Sequence, residues 1–165
     1  MLQNGVAAVS VEDEAYRAPV AKRLLPNEVL LGEVEWMLAE GREVLMVPKG
    51  RSMLPFIRGE VDKVLLSKPK ELEVGDIVLA RVDYGYVMHR VVAIDGQEVT
   101  LMGDGNLQGR EQTTRDQILG VVVEIITPEG QHRKPTRGWL WRKLLPFRKY
   151  LLKIYRKWNK IMKTS

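Results

Sequence analysis

Six short runs rich in Val, Ile and Leu constrain the fold of this chain more than any other feature of its sequence. Runs of this length and composition, bounded by turn residues, predict β-strands rather than helices. An Asp95-Gly96 step between two of them predicts a tight hairpin. The spacing therefore predicts a mainly β fold, either an antiparallel sheet folded on itself or a partly open barrel. The runs cover residues 43–48, 61–67, 76–83, 86–94, 98–102 and 117–126.

One short helix is predicted to precede the sheet. Asn27 follows a proline and can cap a helix, Glu28 lies in its first turn, and Gly41 provides the stop. Residues 1–25 have only weak periodicity and are expected to form a loosely ordered leader. We therefore place a β domain, together with its N-terminal helix, at residues 26–127.

A basic amphipathic helix is predicted at residues 138–165, after a linker at 128–137 that contains proline and glycine. The apolar residues of the helix recur at alternating spacings of four and three, as on one face of an α-helix. Pro146 is expected to kink this helix or to begin its second half. The apolar stripe consists of Leu140, Leu144, Phe147, Leu151, Ile154, Trp158 and Ile161.

Charge is divided unevenly between the body and the tail of the chain. All 21 acidic residues lie before residue 137, whereas 10 of the 26 Lys and Arg residues lie at 137–165. The body therefore holds 16 basic and 21 acidic residues, a formal charge of −5, and the tail carries +10. Such asymmetry is typical of an arm that binds an anionic surface.

The aromatic and basic content of the 138–165 tail favours peripheral attachment to an anionic membrane surface. Two alternatives remain open. The stripe can pack on the protein's own sheet or on a second copy, which would give a homo-oligomer, or the tail can bind nucleic acid. Nucleic-acid binding has the least support, because no separate recognition motif accompanies the basic residues.

Composition excludes several kinds of site. The chain contains no cysteine, which excludes disulfides, a thiol nucleophile and thiolate metal sites. Neither metal-ligand spacing nor a glycine-rich phosphate loop is present, so no metal and no cofactor is expected.

No apolar run approaches the ~20 residues of a membrane-spanning helix. Acidic residues at 12–14 and the lack of an early hydrophobic block argue against a secretory signal. We therefore expect a cytoplasmic protein or one peripheral at the inner membrane face.

Two short motifs contain a candidate nucleophile and a candidate base. Ser52 lies in Gly-Arg-Ser-Met-Leu-Pro at 50–55, and His89 lies in Tyr-Val-Met-His-Arg-Val-Val at 86–92. Of the chain's two histidines, only His89 lies inside a strand-like apolar run. A serine hydroxyl is a poor nucleophile until a base takes its proton, and imidazole is the commonest base near neutral pH. The pairing therefore predicts a serine hydrolase.

Four sequence boxes, in order, resemble the signal peptidase and LexA-type peptidase superfamily. The resemblance covers about half of the chain and implies the β-rich fold of the signal peptidase and LexA C-terminal type. It implies a serine endopeptidase with Ser52 as nucleophile and His89 as general base, as in archaeal and endoplasmic-reticulum signal peptidases. The implied substrate is an extended peptide or protein segment with small side chains near the cleaved bond. The boxes are 47–66, 72–78, 87–94 and 101–106.

The resemblance also implies an acidic residue that orients the His89 ring. Asp104 is the favoured candidate, because the acidic box of the His-type peptidases aligns with it. Glu111 is the alternative. A second acidic position of those enzymes lies within an Asp-Asp pair that this chain lacks, and Glu111 is the nearest substitute.

Gly50, Arg51 and Met53 flank Ser52 and are expected to contact the substrate or the oxyanion. Signal peptidases often carry a hydroxyl residue where this chain has Gly50. The backbone N–H of Ser52 still supplies one oxyanion donor, and the lost second donor predicts slow catalysis.

A second interpretation comes from a different class of protein. The chain would then be a non-catalytic β interaction module that its basic C-terminal helix anchors to a membrane or an assembly. The missing acidic pair and Gly50 favour this interpretation. A self-cleaving transcriptional regulator is disfavoured, because no helix-turn-helix precedes the sheet and the sequence has neither an Ala-Gly nor a Cys-Gly dipeptide.

Overall fold

One antiparallel sheet dominates the structure, a computed structural model that describes residues 6–10 and 27–163. Eight of the described strands lie side by side in the order β1-β2-β3-β8-β4-β5-β6-β7, and β9 pairs with β8. This arrangement confirms the predicted mainly β, antiparallel class. The strands are β1 (Val6–Ser10), β2 (Val44–Pro48), β3 (Lys63–Ser67), β4 (Ile77–Val82), β5 (Gly85–Asp95), β6 (Glu98–Met102), β7 (Glu111–Thr114), β8 (Ile118–Ile126) and β9 (His132–Arg133).

Each of the six predicted apolar runs forms a strand, and three further strands escaped prediction. Strand β7 has the polar sequence Glu-Gln-Thr-Thr at an edge of the sheet, and β9 has two residues, so neither shows an apolar pattern. Strand β1 lies inside the predicted leader and pairs with β2. The remainder of that leader, residues 1–5 and 11–25, lies outside the described residues.

Helix α1 (Asn27–Ala39) forms where the cap and stop residues predict it. Gly41 adopts a φ of 79°, a left-handed conformation that glycine tolerates because it has no Cβ. The N–H of Arg42 then donates to Met37 O at 3.0 Å and satisfies a carbonyl at the helix end. The buried face of α1 consists of Leu30, Leu31, Val34 and Leu38.

The segment 128–137, which the sequence predicts as a linker, is packed against the body. It contains β9, and its Thr136 carbonyl accepts a hydrogen bond from the buried Arg90 side chain at 2.6 Å. Arg137 forms an ion pair with Glu73. These contacts fix the start of the tail on the sheet.

The tail forms two helices, α2 (Trp139–Lys143) and α3 (Arg148–Met162). A 3₁₀ turn at Leu145–Phe147, which contains Pro146, separates them. This break agrees with the predicted effect of the proline, which lacks an N–H for helical bonding. No helix within residues 27–163 is both long enough and apolar enough to cross a bilayer.

The core consists of two apolar clusters, and β5 contributes to both. Met88 belongs to the cluster that also contains the buried face of α1. Val87 and Val91 lie on the opposite face of the strand from Met88 and belong to the second cluster. His89 and Arg90 are both buried in this central part of β5.

Candidate active site

Ser52 lies in the loop that joins β2 to β3. The N–H of Glu60 donates to Pro48 O at 2.7 Å and closes this loop. Within it, the N–H of Ile57 donates to Met53 O at 3.0 Å, and both side chains are buried. These two apolar anchors hold the loop in place while Ser52 itself stays half-buried.

The glycines of the Gly-Asp-Gly-Asn box allow the Ser52 loop to approach the end of β6. The N–H of Gly105 donates to Ser52 O at 2.7 Å. A Cβ at Gly103 would lie 2.5 Å from Ser52 O, and a Cβ at Gly105 would lie 2.5 Å from Arg51 O. Real Cβ atoms do not approach that closely, so the serine loop requires glycine at both positions.

A small cleft opens beside Ser52. Its volume is about 20 Å³, room for about one water molecule or a group of similar size. The lining is mainly apolar and brings the serine loop together with the residues of β5 that precede His89. Residues in the lining include Gly50, Ser52, Met53, Ile57, Leu79, Tyr86, Val87 and Met88.

His89 is buried in β5, and one of its two ring nitrogens is paired. Its Nδ1 lies 2.9 Å from Glu111 Oε2, and only 2% of the His89 side chain is exposed. Because a carboxylate accepts, Nδ1 donates, and whenever the ring is neutral its lone pair is on Nε2. Nε2 is buried and has no hydrogen-bond partner in the described part of the chain. The hydrogen bond to Glu111 thus orients the ring and leaves Nε2 of the neutral imidazole as its proton acceptor.

Glu111 lies at the start of β7, opposite Leu101 of β6. Its other carboxylate oxygen accepts a hydrogen bond from the Tyr84 hydroxyl at 3.0 Å. Burial raises the pKa of Glu111, but three contributions outweigh it and hold this pKa below its ordinary value: the hydrogen bond to His89, the positive charge that this ring carries when protonated, and the bond from Tyr84. Burial, followed by the bond to Glu111, raises the pKa of Tyr84 to about 12. Glu111 is therefore an anion held against the imidazole.

Asp104, the favoured orienting acid, forms no hydrogen bond with His89. Its carboxylate accepts three hydrogen bonds from the Arg90 guanidinium, at 2.8 and 3.1 Å from Nε and at 2.6 Å from Nη2. Both side chains are fully buried. The sequence choice of Asp104 is thus corrected in favour of Glu111, because the adjacent Arg90 captures the Asp104 carboxylate.

Arg90 contacts several distant parts of the chain, which its sequence motif did not indicate. Besides Asp104, it donates to Gly75 O at 2.8 Å and to Thr136 O at 2.6 Å. The Phe56 ring lies 5.1 Å from its guanidinium carbon, within the range of a cation–π contact. Arg90 therefore ties together β5, the serine loop, the Gly-Asp-Gly-Asn box and the start of the tail.

The remaining predicted site residues have different surroundings. Gly50 has a φ of 87° and lines the cleft. Arg51 is exposed, whereas Met53 lines the cleft and is 5% exposed as part of the core. The cleft thus includes Gly50, Ser52 and Met53.

Ser52 and His89 lie on neighbouring segments but are not hydrogen-bonded to each other, because His89 Nε2 has no partner. The cleft beside Ser52 is lined by Val87 and Met88, the two residues before His89. Among residues 27–163, no group of three or more His, Asp and Glu side chains is placed to hold a metal ion. In comparisons with known proteins, no family model, curated protein or solved structure matches this chain.

Proposed function

We propose that this chain is a serine peptidase of the signal peptidase and LexA type, with Ser52 as nucleophile and His89 as general base. Glu111 orients the imidazole. One observation carries the proposal: His89 Nδ1 is tied to a carboxylate at 2.9 Å while the buried Nε2 has no partner in the described part of the chain. A buried imidazole in this tautomer is the general base that a serine nucleophile needs.

The reaction follows from these roles. Ser52 Oγ attacks the carbonyl carbon of the peptide, and its proton moves to His89 Nε2. Breakage of the C–N bond returns this proton to the leaving amine and leaves an ester on Ser52. Water then attacks the ester with His89 again as base, which releases the carboxylic acid and restores the serine. The Ser52 N–H stabilises the oxyanion in both steps.

The cleft supports a preference for small side chains next to the cleaved bond. Its volume of about 20 Å³ and its apolar lining, which includes Met53 and Met88, suit a group of about one or two heavy atoms. We therefore expect cleavage beside Ala, Gly or Ser in an extended segment. Larger side chains would require Met53 or Ile57, both buried, to move.

A fluorophosphonate probe tests the proposal without knowledge of the substrate, because it labels serines that a base activates. Wild type should be labelled at Ser52, identified by peptide mass spectrometry, and both Ser52→Ala and His89→Gln should abolish labelling. Ser67→Ala and His132→Gln are the matched controls and should label like wild type. Equal labelling of wild type and Ser52→Ala, or of neither, contradicts the peptidase.

A non-catalytic β interaction module is the second candidate function. It is favoured by the absence of a hydrogen bond between Ser52 and His89 Nε2 and by Gly50 in place of a hydroxyl residue. The same experiment separates the two candidates. A folded wild-type protein that resists the probe but still binds extended peptides is a binding module.

A further inference from the structure

Helix α3 presents an apolar face that no described part of the protein covers. The five side chains of this face are 56–68% exposed, although all five are large aromatic or branched apolar groups, a kind that is mostly buried in folded proteins. They recur at spacings of three and four and so form one stripe. We call these residues the α3 face: Phe147, Tyr150, Ile154, Trp158 and Ile161.

A row of exposed basic residues runs along the same helix. It consists of Lys149, Lys153, Arg156, Lys157, Lys160 and Lys163. No acidic residue follows Glu129 in the sequence, so no acidic side chain of the tail balances its positive charge. An occupant of the α3 face must therefore bury apolar groups and supply negative charge beside them.

We propose that the α3 face docks on an anionic phospholipid bilayer, with the helix lying in the interfacial plane. Acyl chains would take up Phe147, Ile154 and Ile161, and tyrosine and tryptophan side chains favour the headgroup boundary. Anionic headgroups match the basic row. A second copy would bring another +10 tail against the first, and a nucleic acid would leave the apolar stripe uncovered.

Two residues of α3 outside the α3 face are buried against the body. This packing sets the direction in which the α3 face points. Arg148 and Leu152 are each 2% exposed. Arg148 donates to the carbonyl of Trp141 at 3.3 Å and to that of Asn106, in the Gly-Asp-Gly-Asn box, at 3.4 Å. The first turns of the helix are thus packed on the body, and docking would orient the Ser52 cleft relative to the membrane. The docking proposal does not require Ser52 to be catalytic.

Vesicle sedimentation of the full chain tests this docking. We expect the protein to sediment with vesicles of phosphatidylcholine mixed with phosphatidylglycerol, and much less with phosphatidylcholine alone. Trp158→Ala should weaken partitioning about tenfold, whereas Trp36→Ala, which removes a tryptophan of similar exposure on α1, should leave it unchanged.

The basic row is tested by a charge-neutralising pair. Lys153→Gln with Lys157→Gln should weaken binding to the anionic vesicles by about tenfold or more, and Lys63→Gln with Lys70→Gln on the body is the matched control. Circular dichroism confirms that each variant is folded before sedimentation.

Three outcomes overturn the proposal. The first is failure of the wild-type protein to sediment with anionic vesicles. The second is equal partitioning of Trp36→Ala and Trp158→Ala. The third is a different occupant of the α3 face in a protein that does not bind vesicles. That occupant would be a second copy, if Trp158→Ala dissociates a dimer, or a nucleic acid, if oligonucleotide binding depends on the lysines alone.

Discussion

At the scale of single residues, His89 and Glu111 form a buried pair that has an exposed counterpart in the same chain. His132 Nδ1 lies 3.1 Å from Glu124 Oε1, but 57% of the His132 side chain is exposed, against 2% for His89. The same donor and acceptor groups are thus present in two environments. The pair that we assign to catalysis differs in the burial of its histidine and in the position of that histidine directly after Val87 and Met88, which line the Ser52 cleft.

Glu111→Gln should slow labelling of Ser52 by about 10²–10⁴-fold, because an amide no longer fixes the tautomer of His89 or stabilises the imidazolium. The measurement is the second-order rate of fluorophosphonate labelling at neutral pH. Glu124→Gln, the same substitution in the exposed pair, should leave that rate unchanged. Similar rates for the two variants would remove Glu111 from the mechanism.

The lowered pKa of Glu111 also predicts how stability depends on pH. A carboxyl group whose pKa is lower in the folded state contributes stability that is complete above its unfolded value, here 4.5, and is lost as the pH falls through the folded value. Wild type should therefore exceed Glu111→Gln in free energy of unfolding at neutral pH, and the gap should narrow below pH 4.5. Urea denaturation of both proteins across this range measures the gap. A gap that stays constant with pH would contradict the assigned hydrogen bonds.

Asp104 should behave as a structural residue. Asp104→Ala leaves the fully buried Arg90 guanidinium without its anion, and the loss of one partner of a buried pair costs about 3–5 kcal/mol. Urea denaturation should show this loss, whereas Asp95→Asn at an exposed position should change little. Labelling of Ser52 in Asp104→Ala, corrected for the folded fraction, should fall less than in Glu111→Gln. The reverse order would restore Asp104 as the orienting acid.

At the scale of secondary-structure elements, strands with apolar runs could be predicted from the sequence, whereas the polar strand at the sheet edge could not. Strands β2 to β6 and β8 each bury Val, Ile or Leu, so their sequences carry the pattern. Strand β7 has no such pattern because it lies at the sheet edge. The choice of Asp104 followed the aligned acidic box, whereas the unpredicted strand β7 is the element that brings the alternative, Glu111, to His89.

The Gly-Asp-Gly-Asn box should tolerate no side chain at its first position. Gly103→Ala places a Cβ 2.5 Å from the Ser52 carbonyl, and relief of that clash by backbone movement costs about 1–3 kcal/mol. We expect a lower urea midpoint and slower labelling of Ser52. Gly32→Ala on helix α1 is the control, because its Cβ would meet nothing within 4 Å, and alanine should stabilise that helix by about 0.5–1 kcal/mol. Equal stability of the two variants would contradict the close approach.

At the scale of the whole molecule, the tail is integrated with the body although its charge sets it apart. Composition predicts a linker and a basic helix but leaves open whether the helix packs on the sheet, because charge and proline content report solubility and chain breaks but not long-range packing. The structure places Trp141 Nε1 2.9 Å from Asp104 O. The Phe56 and Trp141 rings meet edge to face at 5.7 Å between centroids. Such contacts join residues far apart in sequence and have no local signal.

Removal of residues 138–165 should therefore destabilise the body. The truncation loses the Trp141 hydrogen bond, the burial of Leu152 and the partial burial of Trp141, about 2–5 kcal/mol from the apolar burial alone. Truncation of residues 160–165 is the matched control, because the described residues 160–163 are exposed, and it should change stability by about 0.5 kcal/mol or less. The urea midpoints of the full chain and of the two truncated proteins measure these differences in stability. If the two truncated proteins match the full chain, the tail is a tether; if only the longer truncation is destabilised, the membrane face and the Ser52 cleft belong to one rigid unit.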